Sequence, residues 1–459
     1  MNQVAVGWWQ PGPPHTRSAN LKGSRYRCTG ATPLALEGSR AAFYALVAFT
    51  FVLLLSPQAW FPVLKLIRIA LLAGGIAMAA HIFERTAHRQ PITPLAPEIG
   101  IALALVFWST VTLPLSYWPG GGIRLLTDQY LKAIAFFWLL ATIITTTDRL
   151  RALAWSLTLC AIPLAATGVW HYLSGQVMTT TQEGLVRVVG YMGSSGLTGN
   201  PNDLALMLNL IIPLTAALAL SSRGGTRLLA IAVALLSIGG VIVTFSRAGF
   251  LSLSATLFMF ILVLVRRRSG GAAIALLVAI LALPFVLPKT YVERLSTITN
   301  LEEDKTGSAL GRYNDLRLAL DVVAHNPIIG VGLGQDMLAL NQARGHSTWR
   351  SVHNVYLQYA VDLGIPGFVL FVWLHLLCFR SAWAVEKRAR SDPALARLAT
   401  LAAGVQVSLV AFLVAAMFHP IAYQFYFFSI AGLAVALKNT YRAEMARTRL
   451  AAPGANEPS

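Results

Sequence analysis

The feature that most constrains this chain is a succession of apolar blocks, each roughly 17 to 25 residues long, the length a helix needs to cross a bilayer. Twelve can be placed, near residues 41–56, 62–82, 98–117, 125–146, 152–172, 203–221, 228–244, 248–265, 271–288, 355–378, 398–417 and 420–437. Backbone polar groups inside hydrocarbon must be satisfied within the segment, which favours helices. The expected fold class is therefore all-α: a polytopic integral membrane protein of about 12 transmembrane helices, with one long periplasmic loop carrying short amphipathic helices. Composition agrees. Of 459 residues, 56% are hydrophobic and only 12% are charged, where a soluble domain carries about 25% charged residues.

A net charge of +17 would suggest nucleic acid in a soluble protein. Here the basic residues are shared among short loops, which is the pattern of membrane orientation, and no nucleic-acid partner is expected. With the N-terminus in the cytoplasm, the inside segments hold 23 Lys and Arg and the short outside loops hold 3. Both termini are thus expected on the cytoplasmic side. The long segment 289–354 holds 7 basic and 7 acidic residues and is long enough to escape the rule.

The expected division is a disordered cytoplasmic tail (1–40), helices one to nine (41–288), the long periplasmic loop (289–354), helices ten to twelve (355–437) and a cytoplasmic tail (438–459). No cleavable leader is evident, so the first helix is expected to direct insertion. Cys28, Cys160 and Cys378 lack metal-ligand spacing, and no metal or cofactor is expected. Within the long loop, residues 311–325 suit an amphipathic helix with Leu316, Leu320 and Val323 on one side.

Outside loops should be poor in cations, so the few present call for a reason. Arg187 lies in RVVGYMGSSGLTGNPND, Arg247 in the tight turn TFSRAGF, and Arg312 opens the amphipathic helix. A guanidinium at membrane depth is costly unless it pairs or lines a wet cavity, and its fork suits two phosphate oxygens. Snorkelling to headgroups is the ordinary alternative for each. His353, in SVHNVYLQYA, sits where the tenth block begins. It suits a general base near neutral pH, although a lone histidine at a helix start is more often a packing residue. Asn354 beside it suits substrate orientation or a cap. Asn200 and Asp203 lie in TGNPNDLA, with Asn200 a cap candidate ahead of Pro201. Asp128 and Lys132, four apart, share a helix face and suit an internal pair, or Lys132 faces a cavity. His346 is a weaker rival to His353. GVGLG at 330–334 lacks the βαβ surroundings of a dinucleotide site.

Four segments, TGNPNDLALMLNLIIPL, TFSRAGFLSL, GRYNDLRLALDVVAHNPIIGVGLG and HNVYLQYAVDLGIPGFVLF, resemble in order and spacing the O-antigen ligase and polymerase superfamily of Gram-negative envelopes. The resemblance covers roughly residues 185–375. It implies a metal-independent, inverting glycosyl transfer at the periplasmic face. The donor would be undecaprenyl diphosphate-linked O-antigen, the acceptor lipid A–core, both presented among membrane lipids. Carried over by motif, Arg247, Arg312 and His353 would be catalytic: His353 as base on the acceptor hydroxyl, the arginines on the diphosphate. Arg187, Asn200, Asp203, Lys132 and Asn354 would bind substrate. The motifs separate the members of the superfamily poorly. An O-antigen polymerase and a protein O-oligosaccharyltransferase therefore stay open, as does, from another class, a polytopic transporter or flippase. Transporters commonly show internal repeats, and none is evident here.

Overall fold

The computed structural model describes residues 38–451 except 60, 62, 176, 181–184, 189, 192–197, 268, 287–290, 292–294, 296–307 and 347–348. The expected disordered tail lies almost wholly outside the described residues. Among the described residues, eight helices are long and apolar enough to cross a membrane: Ile69–Ala87, Pro97–Leu115, Thr147–Leu173, Pro201–Ser221, Gly224–Val243, Arg247–Arg266, Val355–Ala389 and Pro393–Ala415. The chain is a polytopic, predominantly helical membrane protein. Twelve spans were expected. The other four blocks hold the helices Arg40–Leu55, Leu131–Ile143, Gly270–Val286 and Phe425–Ala451. The first three are shorter than 18 residues, and the last turns polar from Lys438.

Two helices form the centre. Pro201–Ser221 and Pro393–Ala415 are each 83% buried along their apolar windows, whereas Ile69–Ala87 is 11% buried. Hydroxyls tie the central pair together and to its neighbours: Ser408 Oγ donates to Leu210 O (2.8 Å) between the two, while Ser252 Oγ donates to Ala411 O (2.9 Å) and Thr158 and Thr215 share a bond of 2.9 Å. Such bonds are one of the few attractive terms left between helices when lipid is the solvent. A buried ion pair, Lys438 Nζ to Glu98 Oε1 (2.8 Å), joins the Pro97–Thr112 and Phe425–Ala451 helices, and Ser381 donates to the same carboxylate. A two-stranded antiparallel hairpin, Val177–Thr180 with Leu185–Val188, follows the Thr147–Leu173 helix.

Beyond residue 307 the long segment folds into two helices, Ser308–His325 and Asp336–Ala343. The amphipathic helix forms, but its buried stripe is Asp315, Ala319 and Val322, while Leu320 stands 57% exposed. The expected Leu316–Leu320–Val323 face is corrected at Leu320, while Val323, partly buried, packs against the same cluster. The small Ala319 side chain is what permits close packing against Val331, Leu340 and Val361.

The GVGLG stretch is a structural clasp. Val331 N donates to Val361 O (2.8 Å), Gly332 N to Asp362 O (2.9 Å) and Ile365 N to Pro327 O (2.8 Å). These bonds splice the turn at residues 327–332 onto a break in the Val355–Ala389 helix at Gly364, whose φ of 69° and ψ of −174° are essentially glycine-only. Space demands glycine as well: a Cβ there would lie 2.2 Å from Ile328 O, and one on Gly330 would lie 2.5 Å from Asp362 O. Gly364→Ala should therefore cost about 3 kcal/mol or more and abolish the monodisperse peak in detergent chromatography. Gly239→Ala, whose Cβ would meet nothing within 4 Å, should leave that peak intact. Equal behaviour of the two would contradict the clasp.

Candidate functional site

Helix starts from three motifs meet at one end of the bundle. Pro201 sits in the first turn of its helix, and Asn200 caps it by accepting from Asn202 N (2.9 Å). Asp203 lies half-buried in the first turn, where the helix dipole favours an anion. The neighbouring turn, Thr244–Ser246, ends in the cap Ser246, whose Oγ accepts from Gly249 N (3.1 Å) and donates to Asn202 Oδ1 (2.7 Å). Asn202 thus fastens the NPND helix to the start of the Arg247–Arg266 helix. Phe245 in that turn adopts φ 53°, a conformation that costs a non-glycine residue about 1 kcal/mol. Its ring is held by Tyr291 (5.2 Å, edge-on) and Tyr172 (5.9 Å). Arg247 follows as the first helical residue, half-buried.

His419 completes the junction. It is buried in the turn after the Ala396–Ala415 helix, with Nδ1 2.9 Å from Ala415 O and Nε2 3.2 Å from Asn202 O. A neutral ring can donate to only one of these carbonyls, and a protonated ring can donate to both. Burial, with a smaller push from Arg312, nevertheless lowers its pKa.

His353 stands immediately before Asn354, which caps the Val355–Ala389 helix by accepting from Leu357 N (3.1 Å). Val355 N donates to Ala416 O (2.8 Å), tying this start to the His419 turn. Directly before His353, Val352 N donates to the buried Asp336 Oδ2 (2.9 Å), and Asp336 N donates to Asp362 Oδ1 (2.8 Å). The backbone on both sides of His353 is therefore pinned. Its Nδ1 lies 3.0 Å from Ser351 O. A carbonyl only accepts, so Nδ1 carries the proton and Nε2 keeps the lone pair. Burial first, then the Arg312 charge, holds the imidazole below 6.5, opposed by the Ser351 bond and Asp315. The ring is thus neutral near pH 7, with the unprotonated nitrogen a base requires.

Arg312 lies half-buried in the Ser308–His325 helix. One turn on, Asp315 is 2% exposed and gathers Arg344 Nη2 (2.5 Å) and Arg350 Nη2 (3.3 Å). Arg350 crosses directly over Gly311, where a Cβ would meet Nη1 at 2.7 Å. Among the described residues, Arg312, Arg344 and Arg350 thus gather around the one carboxylate of Asp315, an arrangement whose guanidinium forks suit an anion.

The structure brings Arg312, His353 and Asn354 together with the junction that carries Asn200, Asp203 and Arg247. Arg187 lies in the second strand, in register with Met178, and its side chain lies outside the described residues. Lys132 is exposed on a lateral cavity of about 510 Å³ with Asp128, Gln129 and apolar walls such as Phe49 and Leu53. The expected Asp128–Lys132 pair is corrected: Asp128 pairs with Arg124 at 3.7 Å. Residues Leu126–Tyr130 form a π-turn, which shifts the helical phase across this stretch. His346 adopts φ 63° and contacts Asn341 Oδ1 (3.2 Å) rather than the His353 group.

Sequence reasoning missed Asn202, Ser246, Asp315, Arg344, Arg350 and His419. Asp315 had a signal, lying three residues after Arg312 in GRYND. Removing its charge by Asp315→Asn would take from the half-buried Arg344 its 2.5 Å ion-pair partner, at a cost of about 3 kcal/mol. Arg350→Gln, at a 43% exposed side chain, should cost under about 1 kcal/mol. Thermal unfolding in one detergent should rank them so, and a reversed order would contradict the ion cluster.

No curated protein matches the chain. Residues 231–372 match the family model described as O-antigen ligase. The matched stretch contains Arg247, Arg312, His353 and the clasp between residues 327–332 and the broken helix.

Proposed function

We propose that the protein is a glycosyltransferase that moves O-antigen glycan from undecaprenyl diphosphate onto lipid A–core, at the periplasmic face of the inner membrane. The observation that carries this reading is His353: a histidine kept neutral and fixed in one tautomer beside Arg312, inside the segment matched to the ligase family. In the proposed reaction, Nε2 of His353 takes the proton from an acceptor hydroxyl. The freed oxygen attacks the anomeric carbon from the side opposite the diphosphate. The carbon–oxygen bond to phosphate breaks with inversion, and undecaprenyl diphosphate leaves. Arg247 and Arg312 meet the charge that grows on it, a contribution of the kind that preorganised donors make to a transition state. Asn200 and Asp203 at one helix start and Asn354 at another would position sugar, with Arg187 as a further cation.

The lateral cavity suits the lipid part of such a donor. Its walls, including Leu71, Met78 and Leu139, are apolar, and Lys132 stands at its edge. A prenyl chain would occupy the walls, and the lysine would meet the phosphate end. The acceptor separates this reading from its rivals. Loss of a ligase leaves core without O-antigen, loss of a polymerase leaves a single repeat, and loss of a protein transferase leaves lipopolysaccharide intact.

His353→Ala should reduce transfer about 10²- to 10⁴-fold, assayed with purified protein, lipid-linked glycan and lipid A–core in the presence of chelator. The sign of the pH dependence follows from the neutral form being active. A pKa held below 6.5 places the acid limb of kcat/KM below pH 6.5. Arg312→Gln removes a charge that lowers that pKa, so its residual activity should show the limb moved upward, toward 6.5. A limb that stayed put, or a strict divalent-ion requirement, would contradict the assignment.

A further inference from the structure

At the opposite ends of the same helices lies a second basic centre. The Pro201–Ser221, Arg247–Arg266 and Ala396–Ala415 helices each run about 20 residues, or about 30 Å, away from the His353 group. Where they end, a cavity of about 900 Å³ is lined by Arg151, Arg223, Arg266, Arg267, Arg390 and Arg397. These six come from separate segments: the start of Thr147–Leu173, the link before Gly224–Val243, the end of Arg247–Arg266, the end of Val355–Ala389 and the start of Ala396–Ala415. Only the fold brings them together.

Orientation alone does not require this convergence. Cations that merely fix topology are spread along loops and reach headgroups singly. Here like charges are gathered at a cost: burial lowers the pKa of Arg267, Glu386 opposes it in part, and the Arg390 charge adds a smaller lowering push. Among the described residues, the lining includes no carboxylate. Arg390 reaches Glu386 at 3.8 Å. Arg151 and Arg267 are held by neutral hydroxyls instead, Nη2 to Ser222 Oγ (3.1 Å) and Nη1 to Thr400 Oγ1 (2.9 Å). The Nε atoms of both are buried, and among the described residues neither finds an acceptor. A buried donor without an acceptor costs about 1–3 kcal/mol, and a phosphate oxygen would recover it. The hydroxyl bonds aim the two forks, which is the preorganisation that phosphate recognition uses.

We infer that this cavity binds the phosphate headgroup of an anionic glycerophospholipid from the leaflet opposite the His353 group. Its position at the ends of bilayer-length helices favours a lipid over a dissolved anion, and Leu220 and Leu264 on its wall offer a start for acyl chains. Basic pockets between membrane helices at this depth take acidic headgroups, and the volume falls within the range of small-ligand sites, about 300–1,000 Å³. The bound phosphate would cross-link five helix ends whose other ends carry the candidate site.

The test uses the full chain in nanodiscs of neutral phosphatidylcholine, with phosphatidylglycerol or cardiolipin added in steps, read by thermal unfolding and by native mass spectrometry of retained lipid. Wild type should gain stability and retain anionic lipid, and should respond far less to pyrophosphate at matched phosphate. The triple variant R223Q/R267Q/R397Q should need at least about tenfold more anionic lipid for the same shift, because three charge-assisted contacts are gone. The single variant R397Q should show an intermediate loss, and it serves if the triple variant does not fold. Arg124→Gln, an exposed residue elsewhere, should behave as wild type. An unaltered lipid response in both cavity variants would overturn the inference. So would a wild type that does not distinguish phosphatidylglycerol from phosphatidylcholine, or one protected by pyrophosphate as strongly as by lipid.

Discussion

Polar chemistry at the end of an apolar bundle depends on leaving no backbone group unpaired where lipid has replaced water. This protein meets the constraint with side chains that bond across helix ends. Asn202 is the central one. Its side chain receives the Ser246 hydroxyl, and its carbonyl lies against His419, so one residue locks three helix ends together. The clasp formed by residues 327–332 and the broken Val355–Ala389 helix supplies the second lock, and Asp336 carries its rigidity to the backbone beside His353. Without these bonds the arginines would sit on three independently moving ends.

Electrostatics then divides the labour. Arg312 and burial keep His353 neutral, while Asp315 holds Arg344 and Arg350 in place and offsets part of the positive field. Among the described residues, this carboxylate anchors two of the guanidiniums that gather at the corner. The strained Phe245 turn beside Arg247 fits the same pattern, since backbone strain persists where surrounding packing over-determines it. The rings of Tyr172 and Tyr291 provide that packing.

What was legible in the sequence was local. Apolar block length located the membrane helices, and cap chemistry placed Asn200 and Asn354 correctly, because both depend on residues two or three positions away. His353 at a helix start and Arg312 in an amphipathic helix followed from the same spacing. The rest required tertiary return. His419 reaches Asn202 across 217 positions, and nothing in MFHP announces it. Arg344 and Arg350 become partners of Asp315 only after the chain doubles back. Periodicity placed Val323 of the Ser308–His325 helix against its cluster but misplaced Leu320, because it rewards large apolar residues while packing against Leu340 and Val361 takes the small Ala319. A π-turn likewise displaced Asp128 from Lys132 toward Arg124.

The central claim is that guanidiniums at this junction receive a lipid diphosphate next to a neutral histidine. A structure of the chain bound to undecaprenyl diphosphate tests it most directly. The account predicts both phosphates between Arg247 and Arg312, with His353 Nε2 facing the adjoining space and the prenyl chain running toward the Lys132 cavity. Density for the diphosphate at the Arg151–Arg397 cavity, or at Lys132 with Arg247 and Arg312 untouched, would contradict it.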